Sequence, residues 1–351
     1  MLKHWWKILG VLLVLYTLIV GMIVPLKPGI PSVSPSNGKT GETITLQIEG
    51  YNTHFQEAKN LRAWLKMDGE KTLLADKLTA SASNALKATF TIPKYLPSDK
   101  KVVDFALVID NELDGASVLP SALFITQQQV QKAMGEGVWK NAAINNLHEY
   151  PGMAFPYRNI LAETIRNTYF HVSLWFGMFL LLVGSVFYSF RYLRKFRVED
   201  DLYSKALTAI GVLFGLLGCA TGAIWAKHTW GTYWTTDVKL NMAAVGMLIY
   251  LAYFVLRGSF QDETKRARLG AVYNIFAFAA LIPLLFVIPR LTDSLHPGNG
   301  GNPGLGGEDL DNTLRMIFYP SIIGWTLIGL WLANLFYRID LLQHRLLDEG
   351  V

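Results

Sequence analysis

Six long runs of apolar residues, separated by polar segments, dominate the hydrophobic pattern of the chain. They occupy Ile8–Val24, Tyr169–Phe190, Ala206–Trp225, Met242–Leu256, Ala271–Ile288 and Met316–Phe336. A helix needs about 20 predominantly apolar residues to cross the ~30 Å hydrocarbon core of a bilayer. The pattern therefore predicts six transmembrane helices, and a composition that is 51% hydrophobic argues against an ordinary water-soluble globule.

The first run follows a short basic head, a combination that also describes a secretory signal peptide. Trp5 and Trp6 frame the run as interfacial anchors do, and no small-x-small cleavage site follows before Pro25. We therefore expect an uncleaved membrane anchor.

Between the first and second runs the pattern changes to an alternation of apolar and polar residues. Stretches such as TITLQIEG, LKATFTI and VVDFALVID are separated by turn-forming segments such as SPSNGKTGE and DNELDG. This alternation is typical of short β-strands in a sandwich, and the pattern is immunoglobulin-like. The expected core residues are Leu46, Ile48, Phe90, Ile92, Phe105 and Leu107. Two roles stay open for this domain, a spacer and a docking module for a partner protein.

The predicted fold class is a mainly α-helical membrane protein with six transmembrane helices and a small extracytoplasmic β-sandwich inserted after the first helix. The predicted segments are a first transmembrane helix (1–26), a β-sandwich (27–126), a connector near the membrane surface (127–167), a five-helix membrane domain (168–338) and a cytoplasmic tail (339–351). The connector is polar and has helical potential before its prolines.

Basic residues set the expected orientation, because Lys and Arg are retained on the cytoplasmic side of the membrane. The segments 191–205 and 257–268 are rich in both, so they and both termini are predicted to face the cytoplasm. The β-sandwich, the loop 227–239 and the outer loop 290–315 then face the periplasm. The net charge of +5 follows from this topology and from anionic lipid, so no nucleic-acid partner is predicted.

Cysteine usage narrows the possible chemistry. The single cysteine, Cys219, lies in the third apolar run, so the β-sandwich folds without an internal disulfide. The chain also lacks CxxCH, the haem-attachment signature, and is therefore not itself a c-type cytochrome.

Three features that are remote in the sequence fall on the predicted outer surface. His171 opens the second apolar run, and His296 follows the fifth run. Neither an interfacial histidine nor a loop histidine indicates a metal site when it is considered alone. The third feature is the loop WAKHTWGTYWTTDVKL, which is unusually rich in aromatic and charged residues. Its candidate binding residues are Trp225, Lys227, Trp230, Tyr233, Trp234, Asp237 and Lys239.

This loop carries more aromatic rings than an interfacial belt needs for one or two helix ends. Rings bordered by cations match a flat amphipathic macrocycle with two carboxylates, whose propionates would lie near Lys227, Lys239 or Arg166. Two histidines above and below the plane, His171 and His296, would complete an octahedral iron. The sequence therefore predicts haem b bound without covalent attachment on the outer face.

The tryptophan-rich loop resembles the WWD motif of haem-handling proteins, and specifically that of the CcmC type of cytochrome c maturation protein. The family motif is approximately WGxxWxWDxRLT, and its matching positions here are Trp230, Gly231, Trp234, Asp237 and Leu240. Two positions depart from it, because Thr236 replaces a tryptophan and Lys239 replaces an arginine. The first departure changes one expected ring contact with haem, and the second changes one expected contact with a propionate.

The resemblance extends over the six helices. Family proteins carry an arginine five residues before the histidine of the second helix, as Arg166 precedes His171, and a second histidine in the loop before the last helix, as His296 does here. The resemblance implies that both histidines are axial haem ligands. It also implies a bacterial inner-membrane protein that passes haem to a CcmE-type chaperone beside other maturation subunits. The family has only a short first outer loop, so the β-sandwich is a departure that bears on the partner or on the timing of handover.

Three alternatives stay open. The CcsA type of cytochrome c synthase shares the WWD loop but attaches haem to apocytochrome and also uses histidines within its helices, whereas none of the seven histidines here lies in the middle of an apolar run. A transporter of small solutes or haem usually has polar or broken helices near the bilayer midplane, and Pro283 is one of few hints of that. His228, inside the aromatic loop, is an alternative iron ligand.

Overall fold

A computed structural model describes residues 4–296 and 310–348 in two compact units. One unit, the helical unit, combines the first helix with the chain from Glu163 onward, and the other, the β unit, comprises Pro25–Ala162. The glycine-rich part of the predicted outer loop 290–315, residues 297–309, lies outside the described residues, as do residues 1–3 and 349–351.

Seven α-helices occur in the described residues, and all but the second belong to the helical unit. They are α1 (Trp5–Ile23), α2 (Lys132–Val138), α3 (Ser173–Lys195), α4 (Val198–Trp230), α5 (Val238–Gly258), α6 (Glu263–Ile282) and α7 (Asn312–Asp348). A 3-10 turn at Ala162–Asn167 and a π-helical turn at Thr168–Val172 lead into α3. After Ile282, α6 continues through a π-helical turn at Pro283–Val287 and a 3-10 turn at Ile288–Arg290.

The six helical segments of the helical unit are each long and apolar enough to cross a membrane, which confirms the prediction of six transmembrane helices. The helical segments are longer than the apolar runs of the sequence, because polar residues continue each helix beyond its apolar run and cap its ends. Asp237 and Asp262 accept backbone N–H groups at the starts of α5 and α6, and Gly231, with φ +82°, ends α4 in the left-handed region. Helix length therefore follows the caps, not the hydrophobic run alone.

The core of the helical unit lies where α3 and α4 pack side by side. Leu182, Phe214 and Leu281 are buried there with Met178 and Met247. The antiparallel order of α3, α4 and α5 brings the start of α3, the end of α4 and the start of α5 to one end of the bundle. We call this end of the bundle the loop end, because residues 231–237, which join α4 to α5, lie there.

The β unit is a sandwich of two sheets, as predicted. Its strands are β1 (Gly29–Ser34), β2 (Asn37–Lys39), β3 (Thr43–Tyr51), β4 (Arg62–Lys66), β5 (Thr72–Leu74), β6 (Lys77–Ala82), β7 (Ala85–Thr91), β8 (Val102–Asn111) and β9 (Gly115–Thr126). One sheet has the order β1-β3-β7-β6, and the other has the order β2-β9-β8-β4-β5 with β2 parallel to β9.

These orders correspond to the ABED and CFG sheets of immunoglobulin-like sandwiches, with β2 and β5 as additional edge strands. All six predicted core residues are buried, with at most 3% of each exposed. The alternation that predicted the strands therefore also identified the face that each strand turns inward.

The stretch after β9, predicted as a separate connector, packs on the sandwich and belongs to the β unit up to Ala162. Asn141 Oδ1 accepts the Thr72 N–H of edge strand β5 at 2.8 Å, and the His148 N–H donates to Asp110 Oδ1 at 2.7 Å. Only α2 is helical in this part of the described chain. Such an irregular segment must find partners for its backbone polar groups, and the sandwich edge supplies them.

Candidate functional site

His171 and His296 both lie at the loop end of the helical unit. His171 is in the π-helical turn that precedes α3, and His296 follows six residues after Arg290. The ring of His296 lies 5.0 Å from that of Trp230, which ends α4, and the ring of His171 lies 5.7 Å from that of Trp225 on the same helix. The structure therefore brings together two histidines that are 125 positions apart in the sequence.

His171 is held by the backbone of α4. Its Nδ1 lies 2.9 Å from the Gly218 carbonyl oxygen and 3.3 Å from Thr221 Oγ1. Because a carbonyl oxygen only accepts, Nδ1 carries the proton and Nε2 keeps a lone pair. A π-helical turn inside a longer helix is often found at a functional site. The geometry therefore presents His171 as a neutral imidazole whose Nε2 is available to a ligand.

A glycine on α4 allows His171 to sit there. A Cβ added at Gly222 would lie 2.6 Å from His171 Cε1, a separation that real side chains do not tolerate. The ring also has the edges of Trp175 and Trp225 beside it, at centroid distances of 6.3 and 5.7 Å. Gly222 thus provides the space for the His171 ring, and the carbonyl of Gly218 fixes its orientation. We call these two residues the seat of His171.

His296 is held by a carboxylate instead. Its Nδ1 lies 3.1 Å from Asp237 Oδ1, and the backbone N–H of Leu295 donates to Asp237 Oδ2 at 2.7 Å. Burial, together with the charge of Lys239, lowers the pKa of His296 to about 4, although Asp237 opposes the shift. His296 is therefore neutral at neutral pH, and its Nδ1–H donates to the carboxylate.

Asp237 itself stays ionised. Burial raises its pKa, but hydrogen bonds from Ser294 and from the Leu295 N–H outweigh burial, so the net pKa of Asp237 is lowered. Within the described residues, neither His171 nor His296 uses its Nε2 in a hydrogen bond. Two neutral imidazoles with oriented rings and open Nε2 atoms are the donor set that haem iron takes.

The aromatic residues of the loop fall into two pairs. Trp225 and Trp230 are partly buried beside the histidines, and Trp225 Nε1 donates to Thr164 Oγ1 at 3.0 Å. Tyr233 and Trp234 are 61% and 43% exposed. The exposed pair offers apolar surface at the loop end that the described residues do not cover.

Cations border this surface. Lys227 Nζ donates to the Gly231 carbonyl at 2.8 Å and lies over the Tyr233 ring at 5.6 Å. Lys239 lies near enough to both histidines to interact with each electrostatically. Arg290 interacts with Lys239 in the same way, and sequence reasoning missed it because it stands outside the aromatic loop.

The structure does not bring Arg166 into this group. Its guanidinium donates to the carbonyl oxygens of Gly21 and Val24, at 2.6 and 2.7 Å, and to Glu163 Oε2 at 2.6 Å. The last carbonyls of a helix lack intrahelical partners and attract a cation, which explains why the guanidinium of Arg166 caps α1. His228 is exposed in the last turn of α4, and its side chain makes no hydrogen bond with the described residues, so no such bond orients its ring.

Comparison with known proteins places the helical part of the chain in a family. The family described as "CcmC: Heme exporter protein C" matches residues 138–349, more than half of the chain. The chain belongs to the CcmC family. This confirms the predicted resemblance to the CcmC type. The CcmC match begins after β9 ends at Thr126, so the sandwich strands are an addition to the family domain.

Two of the similar relatives carry the name of the CcmC family, and a third is a CcsA protein. Heme exporter protein C of Bradyrhizobium diazoefficiens is 28% identical over 183 residues, which cover 52% of this chain and 68% of the relative. Heme exporter protein C of Haemophilus influenzae is 28% identical over 138 residues, which cover 39% of this chain and 55% of the relative. Cytochrome c biogenesis protein CcsA of Pelargonium hortorum is 35% identical over 93 residues, or 26% of this chain and 29% of the relative.

Proposed function

We propose that this CcmC-family protein binds haem at its loop end and passes it on during the maturation of c-type cytochromes. The observation that carries the proposal is the pair His171 and His296, which lie at the same end of the bundle with Nδ1 engaged in each and with no hydrogen bond to either Nε2 from the described residues. Haem is the cargo in this reading, and the two imidazoles would supply its axial ligands.

The surroundings of the two histidines fit a porphyrin. Trp225 and Trp230 contact the histidine rings, and the exposed rings of Tyr233 and Trp234 extend the apolar surface. Aromatic faces stack on a macrocycle, and ammonium groups pair with carboxylates at its edge. Lys227 and Lys239 are the residues proposed to hold the propionates. The absence of CxxCH in the sequence favours haem b, bound without a thioether bond.

The orientation proposed for the protein places the loop end and the β unit in the periplasm. The basic segments 191–205 and 257–268 lie at the opposite end, where Lys and Arg favour the cytoplasm. Both termini would then be cytoplasmic, in a bacterial inner membrane. A CcmE-type chaperone, acting with other maturation subunits, is the acceptor that we propose from the resemblance of the tryptophan-rich loop to the CcmC type.

The proposal is tested by the visible spectrum of the purified protein together with capture of the haem chaperone. We expect the absorption of a low-spin bis-histidine haem and co-purification of a tagged CcmE-type chaperone when haem is supplied. A protein that takes up no haem, or that gives only a high-spin spectrum, would contradict the proposed function. Haem uptake without capture of the chaperone would contradict only the proposed acceptor.

Replacing the aromatic loop residues is expected to weaken haem retention. The double variant Trp230→Ala with Trp234→Ala removes one ring beside His296 and one exposed ring. Contacts between aromatic rings are worth about 0.5–1.5 kcal/mol each beyond area burial, so retention should fall several-fold. Haem per protein, measured by pyridine haemochrome, is the readout. Trp331 on α7, which lies under Lys7, is the matched control, and equal loss in Trp331→Ala would favour a general aromatic belt.

Gly222→Ala is expected to displace His171 from its seat. The new Cβ would lie 2.6 Å from His171 Cε1, so the ring must turn and its Nε2 must move. We expect a several-fold loss of the low-spin spectrum with the protein still folded. Gly184→Ala on α3 is the control, because its Cβ would meet only Leu207 at an ordinary 3.4 Å. A full low-spin spectrum in Gly222→Ala would show that His171 is not a ligand in the observed position.

A cytochrome c synthase is the second candidate function, favoured by the 35% identity to a CcsA protein over 93 residues. That reading requires haem to become covalently attached to an apocytochrome. Co-expression with an apocytochrome that carries CxxCH separates the two functions. Haem staining of the apocytochrome on a denaturing gel, in cells that lack other synthases, would favour the synthase over haem delivery.

A further inference from the structure

Asp237 joins two segments of the loop end that are far apart in the sequence. Its Oδ1 accepts the N–H groups of Lys239 and Leu240, at 2.9 and 3.3 Å, and so caps α5. The same oxygen lies 3.1 Å from His296 Nδ1, and Oδ2 accepts the Leu295 N–H at 2.7 Å. The side chain is only 1% exposed, so these contacts replace its hydration.

We propose that Asp237 is a positioning residue that acts on haem through His296 and does not contact haem itself. The inference rests on the proposed function. The Asp237 carboxylate fixes the rotation and the tautomer of the His296 ring, and its negative charge sets how strongly His296 binds iron.

An N-cap alone does not require this residue. Ser, Thr, Asn and Asp all cap helices through one oxygen, and exchange among them costs little. Only a carboxylate offers two oxygens without a donor, which is what the five donors from two segments need: Lys239, Leu240, Ser294, Leu295 and His296. The contacts to Leu295 and His296 therefore go beyond capping, because they tie the segment after Arg290 to the start of α5.

The two histidines consequently have unequal partners. His171 donates to a neutral backbone carbonyl, whereas His296 donates to an ionised carboxylate. A carboxylate behind an imidazole raises its basicity and stabilises the ligand orientation, and such partners contribute 10–100-fold to metal affinity. His296 is thus the stronger donor of the pair, and it favours ferric iron over ferrous iron.

The test uses two variants of the full-length protein loaded with haem. Asp237→Asn keeps the shape and one acceptor oxygen but removes the charge, so the spectrum should stay mainly low-spin while the reduction potential rises. Asp237→Ala removes both functions, so haem affinity should fall by about 10–100-fold and the low-spin fraction should drop. Added imidazole should restore the low-spin spectrum of Asp237→Ala by occupying the axial position that His296 leaves.

The matched control is Asp262, the N-cap of α6, which accepts the Lys265 N–H at 2.8 Å and lies at the other end of the bundle. Asp262→Asn and Asp262→Ala should leave the spectrum and the potential unchanged. An Asp237→Asn potential equal to that of Asp262→Asn, or an Asp237→Ala spectrum that imidazole does not restore, would overturn the inference while low-spin haem in the unaltered protein still supports the proposed function. Absence of haem from the unaltered protein would overturn both.

Discussion

Alanine at His171 or at His296 is expected to remove the low-spin signature of bound haem and to lower haem retention by at least about 10-fold. Loss of a residue that merely supports a metal ligand already costs 10–100-fold in affinity, so loss of the ligand itself should cost no less. Each single variant leaves one imidazole on the iron, and a five-coordinate haem is typically high-spin. Visible spectra and the pyridine haemochrome of matched protein amounts measure both effects.

His228→Ala is the control for these two variants. It removes a histidine near the same end of the bundle, but one whose exposed side chain has no hydrogen bond with the described residues. Its spectrum should match that of the unaltered protein. Full haem content in both His171→Ala and His296→Ala would contradict the proposed site, and loss in His228→Ala alone would transfer the ligand role to His228.

The two expected losses also differ in how the protein responds. His171 lies in the turn before α3 and packs on Gly218 and Gly222 of α4, so the surrounding helical residues can partly close the space that alanine leaves there. His296 is anchored on Asp237 after α6, so alanine there leaves the helix packing intact. Added imidazole should therefore restore the low-spin spectrum more completely in His296→Ala than in His171→Ala.

The fold could be predicted from local patterns because hydrophobic period and run length are local properties. The six helices and the sandwich core, including Leu46 and Phe90, follow from them directly. The ends of the elements do not. Asp237 and Asp262 begin two helices through hydrogen bonds, and the chain up to Ala162 joins the β unit through single contacts such as Asn141 to Thr72. Such contacts depend on tertiary neighbours that no period encodes.

The candidate site likewise contains residues that the sequence predicts and contacts that only the tertiary structure reveals. His171, His296 and the aromatic loop were predicted because histidine, tryptophan and lysine carry recognisable chemistry. The seat of His171 was not, since a backbone carbonyl at Gly218 and a missing Cβ at Gly222 leave no chemical signature in the sequence. Arg166 carries the right chemistry but lies near the end of α1, and the unpaired carbonyls there take its guanidinium. Residue type predicts the capability of a side chain, whereas position decides its partner.

The end of the bundle opposite the loop end contains a buried ion pair. Arg257 Nη1 and Nη2 donate to Asp201 Oδ1 and Oδ2 at 2.6 and 2.7 Å, and less than a tenth of either side chain is exposed. The guanidinium lies 5.7 Å from the Tyr253 ring, and Gly270 provides room for it, because a Cβ there would lie 2.6 Å from Nη1. The pair ties α4 to α5 at a place where neither charge reaches much water.

Arg257→Ala is therefore expected to destabilise the helical unit by about 3–5 kcal/mol, the cost of leaving a buried charge without its partner. Thermal or denaturant unfolding in detergent measures the change. Arg266→Ala breaks the exposed pair with Glu263 and should cost at most about 1 kcal/mol. The double variant Asp201→Leu with Arg257→Met removes both charges and should recover most of the loss.

Haem distinguishes this effect from damage to the site. Asp201 and Arg257 lie at the end of the bundle away from His171 and His296, so the folded fraction of Arg257→Ala should keep a low-spin spectrum while its unfolding midpoint falls. A midpoint equal to that of Arg266→Ala would mean that water or lipid headgroups solvate Asp201 once the arginine is gone. A low midpoint accompanied by a high-spin spectrum would mean that the two ends of the helical unit are coupled, because the ion pair would then support the position of the histidines through α4 and α5.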